Sequence, residues 1–445
     1  MQFTVPRRMP PSAPAPRGLW KIIGAASAGT LIEWYDFYVF GSLATVLSMH
    51  FFPPGHETAA LLNTLAVFAT GFVVRPFGAL VFGRLGDLVG RKHTFLVTLL
   101  LMGGSTFAIG VLPTFEQIGL VAPLLLVLLR LVQGLSIGGE YGGAATYVAE
   151  HTPDARRGFY TSFLQTTATL GLIASLGVIL AVRTALGPEE FAAWGWRLPF
   201  LLSILLVMIS YHIRRRMDES PLFARAKAAG QLSRDPLKES FAEAKNLRLV
   251  LLALFGFVAG HAVVWYTGHF YILFFLQRVA KIDFVTANTL VTWALVLSMP
   301  LYVLWGGLSD RIGRKPVIMA GCLLGAAGFW PIYHALVHYA QPLNRPALFG
   351  LVLLQMSFGT MTYGPLAAWL VEMFPTRIRY TALSLPYHLG IGVLGGLTPF
   401  TATWLVATTG NRYAGLFYPI GFAALTFLVG MLFLKERRDA TLANE

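Results

Sequence analysis

The sequence predicts an all-α membrane protein of twelve transmembrane helices arranged as two six-helix halves. Three observations carry this prediction. Apolar residues make up 56% of the 445-residue chain and charged residues 12%, about half the roughly 25% that covers a soluble globule. Apolar stretches near the ~20 residues needed to cross ~30 Å of hydrocarbon recur about twelve times. A ten-residue motif recurs half a chain later. The same composition excludes disorder, a collagen-like rod and a disulfide scaffold, and the single cysteine, Cys322, has no internal partner.

The spans are placed at 22–49, 58–82, 94–113, 121–149, 158–182, 198–213, 247–276, 285–307, 316–338, 347–371, 380–408 and 413–434. Helices of this length satisfy their own backbone groups in lipid, which favours them over barrel strands. The expected organisation is a tail at 1–20, a six-helix bundle at 21–213, a basic linker at 214–246, a second bundle at 247–434 and a tail at 435–445. With both termini cytoplasmic, the cytoplasmic segments hold 26 of the 34 lysines and arginines and the opposite loops 6, while Arg75 and Arg130 lie inside spans. This is the positive-inside distribution. The net charge of +13 therefore reads as membrane topology, and no nucleic-acid partner is expected. No removable signal peptide is expected ahead of the first span.

Gly83 to Lys92 follows span two and Gly306 to Lys315 follows span eight, with six of ten positions identical at an offset of 223. A weaker echo sets Glu150, Pro153 and Arg157 against Glu372, Pro375 and Arg379 at an offset of 222. Two related halves are the reading. Asp87 and Asp310 can cap helix N-termini or pair with arginines such as Arg91 and Arg314. With Glu150 and Glu372 they form the candidate gate on the cytoplasmic side.

The Gly-x-Leu-x-Asp-x-x-Gly-Arg-Lys pattern and Arg130-Leu131-Val132-Gln133-Gly134 resemble motifs of the major facilitator superfamily. Glu33-Trp34-Tyr35-Asp36-Phe37-Tyr38, Arg75-Pro76-Phe77-Gly78, Gly138-Gly139-Glu140-Tyr141-Gly142, Trp194-Gly195-Trp196-Arg197 and Glu372-Met373-Phe374-Pro375 resemble its metabolite:proton symporter family. The resemblance runs from span one to the start of span eleven. It implies a twelve-helix alternating-access fold in a bacterial inner (plasma) membrane. It also implies proton-coupled uptake of a small metabolite, either a carboxylate or a zwitterion such as proline or betaine. The chain ends at Glu445 without a heptad-patterned tail, and span five lacks the Gly-Pro pattern of antiporters; both departures point toward carboxylate symport.

Ionisable groups inside the membrane cost about 2.5–3.5 kcal/mol each on insertion scales, so function is sought among them. Glu33 and Asp36 lie three apart on one helical face. Counting ~1.5 Å per residue places both, and Arg130 of span four, near mid-depth. Two carboxylates and one guanidinium leave a surplus carboxylate able to hold a proton, because like charges disfavour double ionisation. Glu33, Asp36 and Arg130 are thus the proton-coupling candidates, with a structural ion pair as the alternative. Arg75 and Glu140 are read as a second pair, a strut or gate. Candidate substrate contacts are Arg130, Tyr35, Gln165, Trp265, Tyr266, Gln355, Tyr363, Tyr387 and His388. His261 and His269 are read as packing residues, Arg197 as a headgroup anchor, and His334 with His338 lacks a third metal ligand. No phosphate loop, nucleophile elbow, zinc or haem motif occurs. The expectation is a transporter that is not an enzyme, works as a monomer, uses no cofactor and draws on the proton gradient to move a small organic anion. A non-transporting sensor or scaffold is the rival from another class.

Overall fold

The computed structural model describes residues 18–53, 57–215, 219 and 221–436. Among the described residues the regular structure is all helical, with no strands. Span one is Leu19–Ser42 continued by Ala44–Phe51, and span two is Glu57–Val73 continued by Arg75–Leu88. Spans three to six are Arg91–Val111, Val121–His151, Arg157–Leu186 and Arg197–Arg215. Span seven covers Ala244–Val279, and spans eight and nine are Phe284–Ile312 and Arg314–Ala340. Span ten is Arg345–Tyr363 continued by Leu366–Met373, span eleven covers Arg379–Thr409, and span twelve is Phe417–Phe433. Among the described residues eleven helices are long and apolar enough to cross a membrane. Span one is long enough as well, but Lys21, Glu33 and Asp36 interrupt its apolar character.

Two boundaries differ from expectation in ways that matter. Span six continues through Arg215, so Arg214 belongs to the first bundle and not to the linker. Glu436 is not part of a free tail: its carboxylate accepts from the Lys315 amide at 2.8 Å, at the start of span nine. Glu219 of the linker does the same for Lys92 at the start of span three, at 3.3 Å. Spans three and nine each follow a glycine in the positive-φ region, Gly90 at 135° and Gly313 at 101°. This conformation strains any residue with a Cβ, which explains why both copies of the repeat keep glycine there.

The halves meet along two equivalent seams, span two against span eleven and span five against span eight. The repeat motifs sit at the end of these seams that carries the linker, here called the basic face. Asp310 accepts from the amides of Gly158 and Phe159 at 2.9 and 2.8 Å, so a carboxylate of one half caps a helix of the other. Asp87 accepts from Tyr380 and Thr381 at 3.3 and 2.8 Å in the mirrored arrangement. Gly158 and Gly306 lie backbone to backbone across the seam, where a side chain on either would collide. Ion pairs complete the contact. Glu372 receives Arg157 at 2.7 Å and Arg314 at 3.1 Å, and Arg314 also reaches Asp310 at 2.6 Å. Arg379 reaches Glu150 at 2.8 Å. The residues expected to gate, Asp87, Asp310, Arg314, Glu150 and Glu372, are therefore brought together, and they join the two halves at the basic face. The Arg91 side chain lies outside the described residues.

Replacing Asp310 with alanine removes the cap from the span-five N-terminus and one partner of Arg314. Cap loss costs about 0.5–2 kcal/mol, so the closed basic face should open more often by roughly two- to thirty-fold. Alkylation of a cysteine introduced at Ser162 in a Cys322→Ser background reads this directly and should be faster in the Asp310→Ala variant.

Candidate functional site

Span six turns one stripe toward spans one and three, with Ser203, Val207, Ser210 and Arg214 all buried. Small residues let the helices approach, and Gly29 leaves the space that the Arg214 guanidinium fills, since a Cβ there would strike it. Arg214 thereby reaches up into the bundle. Its Nη1 donates to Glu33 Oε1 at 3.1 Å, to Glu140 Oε2 at 3.2 Å and to the Phe95 carbonyl at 3.0 Å, and its Nη2 donates to Glu140 Oε1. Thr30 and Thr98 hydroxyls donate to the two Glu140 oxygens at 3.3 and 3.4 Å. Glu33 Oε2 has no partner. One guanidinium thus serves two buried carboxylates, leaving one negative charge in surplus.

This is the charge inventory anticipated for the membrane interior, with different members. Among the described residues Arg130 engages neither Glu33 nor Asp36. Its Nη1 donates to Gln133 Oε1 at 2.7 Å and its Nη2 to the Phe68 carbonyl at 3.2 Å. Its guanidinium carbon lies 4.4, 4.6 and 4.9 Å from the ring centres of Phe37, Phe40 and Phe68, a cation–π enclosure. Asp36 accepts from Ser203 at 2.6 Å and keeps a second oxygen without a partner. The expected Arg75–Glu140 pair is not formed either, because Glu140 belongs to Arg214.

Arg75 faces a hollow at the seam. Glu33, Trp34, Glu140 and Tyr141 of the first half line it, and Tyr387 and His388 of span eleven close it from the second. Arg75 is 1% exposed and forms no ion pair among the described residues. Phe37 and Phe72 rings hold its guanidinium carbon at 4.4 Å each, the Tyr266 hydroxyl bonds to it, and its Nε and Nη2 have no partner. The hollow measures about 10 Å³, room for about one water, so a solute can enter only when the halves part. Beside it the Tyr141 and Tyr387 rings stack across the seam, centres 3.5 Å apart and 4° from parallel, and Tyr363 shares a 2.9 Å hydroxyl contact with Tyr387.

The remaining expected contacts lie away from the hollow. Tyr35 donates to the Pro199 carbonyl at 2.7 Å inside the first bundle. Gln165 stands behind Tyr141, donating to its hydroxyl at 2.9 Å. Trp265 donates to Tyr302 at 2.8 Å and stacks on His269, and His261 bonds Thr362 at 2.9 Å. Gln355 is fully buried without a side-chain partner and does not line the hollow. Arg214 is the residue that sequence reasoning missed. Its signal was the spacing of Ser203, Val207 and Ser210, which continues helically to 214 and puts two serines of an apolar span on the same stripe.

Arg214→Ala leaves two buried carboxylates facing each other without a cation. Breaking a buried ion pair on one side costs about 3–5 kcal/mol. The purified variant should therefore unfold at a clearly lower temperature, and adding Glu140→Gln should restore part of the loss.

A family model for sugar (and other) transporters matches residues 21–444. The chain is 36% identical to the glycine betaine/proline/ectoine/pipecolic acid transporter OusA of Dickeya dadantii, covering 95% of this chain and 85% of that protein. It is also 36% identical to the alpha-ketoglutarate permease of Escherichia coli, covering 96% of each. The proton:xylose symporter XylE superposes with a TM-score of 0.75 over 96% of this chain and 98% of that one, at 19% identity. Together with the two six-helix halves and the repeated seam motif, these likenesses place the chain in the sugar (and other) transporter family of the major facilitator superfamily, as a multi-pass inner-membrane transporter.

Proposed function

We propose that this transporter is a symporter that carries a small organic acid inward with protons, with its termini and basic face in the cytoplasm. Arg75 carries the substrate reading. It is a buried cation without an acidic partner, it faces the hollow between the halves, and two of its nitrogens are free to donate. A guanidinium edge of this kind matches a carboxylate. The 26-to-6 distribution of basic residues supports the orientation.

The mechanism follows from the charges. Arg214 neutralises one of the two carboxylates, Glu33 and Glu140, and the other is neutral only when it carries a proton. With the proton in place and an anion on Arg75, the hollow holds balanced charge and the halves can rock past it. Opening the basic face separates Asp87 from span eleven and Asp310 from span five, releasing solute and proton together. Asp36, hydrogen-bonded to Ser203, is a second proton-holding position on the same helix, and Arg130 acts through the Phe37 ring that it shares with Arg75. The chain performs no chemistry on its cargo, needs no cofactor and works as a monomer.

A second reading has its own support: Trp34, Tyr141 and Tyr387 give the hollow an aromatic wall, and the free Glu33 oxygen suits an ammonium group. Proteoliposomes with an imposed inward proton gradient decide between the two. Labelled 2-oxoglutarate should accumulate, and Arg75→Gln should reduce that uptake at least about tenfold, the equivalent of one charge-assisted hydrogen bond. Accumulation of proline or betaine with no response to 2-oxoglutarate would establish the zwitterion reading instead. No gradient-driven uptake of any of these solutes would overturn both.

A further inference from the structure

Alternating access requires a solute that touches both halves while each can leave it. The first half supplies charge to the hollow through Arg75, Glu33 and Glu140. Among the described residues the second half supplies only Tyr387 and His388. Tyr387 is already engaged, its ring on Tyr141 and its hydroxyl on Tyr363. His388 is not. It is 2% exposed, and neither of its ring nitrogens has a hydrogen-bond partner. Buried polar groups are nearly always paired, so a buried, unpaired imidazole lining a hollow points to a missing ligand.

The backbone makes the same argument independently. Span eleven leaves α-helical geometry at this residue and runs through wide π-type turns over His388–Gly395. Such turns are rare and occur mostly at functional sites. Here Gly390, Gly392 and Gly395 let the widened segment press against Val258, Phe72 and Tyr266. Tyr387 meets the imidazole edge-on, ring centres 4.9 Å apart.

We propose that His388 is a specificity-determining residue, bonding the keto or hydroxyl oxygen that neighbours the carboxylate held by Arg75. An imidazole carries one donor and one acceptor, so it can serve either oxygen. The substrate class is then narrowed to 2-oxo and 2-hydroxy acids, which bridge the two halves, over acids lacking that oxygen, which contact the first half alone. The inference rests on the reading of the hollow as a carboxylate site.

Matched probes test it. Binding of 2-oxoglutarate against glutarate, and of L-malate against succinate, is measured by thermal shift on the purified full chain and by uptake in proteoliposomes. Wild type should prefer the oxygenated member of each pair. His388→Ala should reduce that preference roughly tenfold, about one neutral hydrogen bond, with little change for glutarate and succinate. His388→Gln, which keeps a donor and an acceptor, should retain part of it and serves as the variant if the alanine form does not fold. An unchanged preference in the folded variants overturns the role of His388. Wild type that binds none of the four acids, or only betaine, overturns the carboxylate reading and this inference with it.

Discussion

A charge buried in a hydrocarbon slab is costly when no opposite charge answers it, and in this protein one guanidinium answers two carboxylates. Arg214 rises from the end of span six into the space that Gly29 leaves open and meets Glu33 and Glu140 there. Spans one, three, four and six converge on this contact, so it fixes the interior of the first half. In the mechanism we propose, its imbalance is the functional part. A fully paired cluster would be only a strut, whereas a cluster short of one positive charge changes its net charge with a single proton. Arg75 has the opposite imbalance, a cation with no anion of its own. The two imbalances border one hollow and are complementary to a solute and a proton arriving together.

In the proposed transport cycle the seam turns that local balance into motion. Each half places an aspartate on a helix N-terminus of the other, Asp87 on span eleven and Asp310 on span five. Each also exchanges an arginine for a glutamate across the same line, Arg157 with Glu372 and Arg379 with Glu150. These are directional contacts between otherwise smooth surfaces where glycines bring backbones together. In that cycle they hold while the halves are packed and are lost together when the halves tilt, which suits a two-position device. The halves differ in backbone geometry. Spans seven and eleven carry π-type turns, and spans one and five do not.

Much of this was legible in the sequence, for reasons that are local. Hydropathy reports a span wherever it falls, and the repeated Gly-x-Leu-x-Asp motif signalled both the halves and the capping role of Asp87 and Asp310. Partner choice was not legible in the same way. Counting residues along a helix gives depth but not direction, so Glu33, Asp36 and Arg130 share a level without touching. Phe37, Phe40 and Phe68 enclose the Arg130 guanidinium, and no spacing rule announces a cation that takes rings in place of a carboxylate. Arg214 was hidden by company, the first of nine basic residues between 212 and 248, where positive charge ordinarily marks the membrane surface. The π-type turns of span eleven left no trace beyond a cluster of glycines, which close packing alone also explains.

The central claim is that Glu33 and Glu140, sharing Arg214, carry the coupled proton. The most direct measurement compares two modes of transport in the same Glu33→Gln proteoliposomes: exchange of labelled for unlabelled 2-oxoglutarate, and accumulation driven by a proton gradient. A glutamine that fills the site without titrating should leave exchange running while gradient-driven accumulation disappears. Accumulation at the wild-type level and with the wild-type response to the gradient would contradict the account.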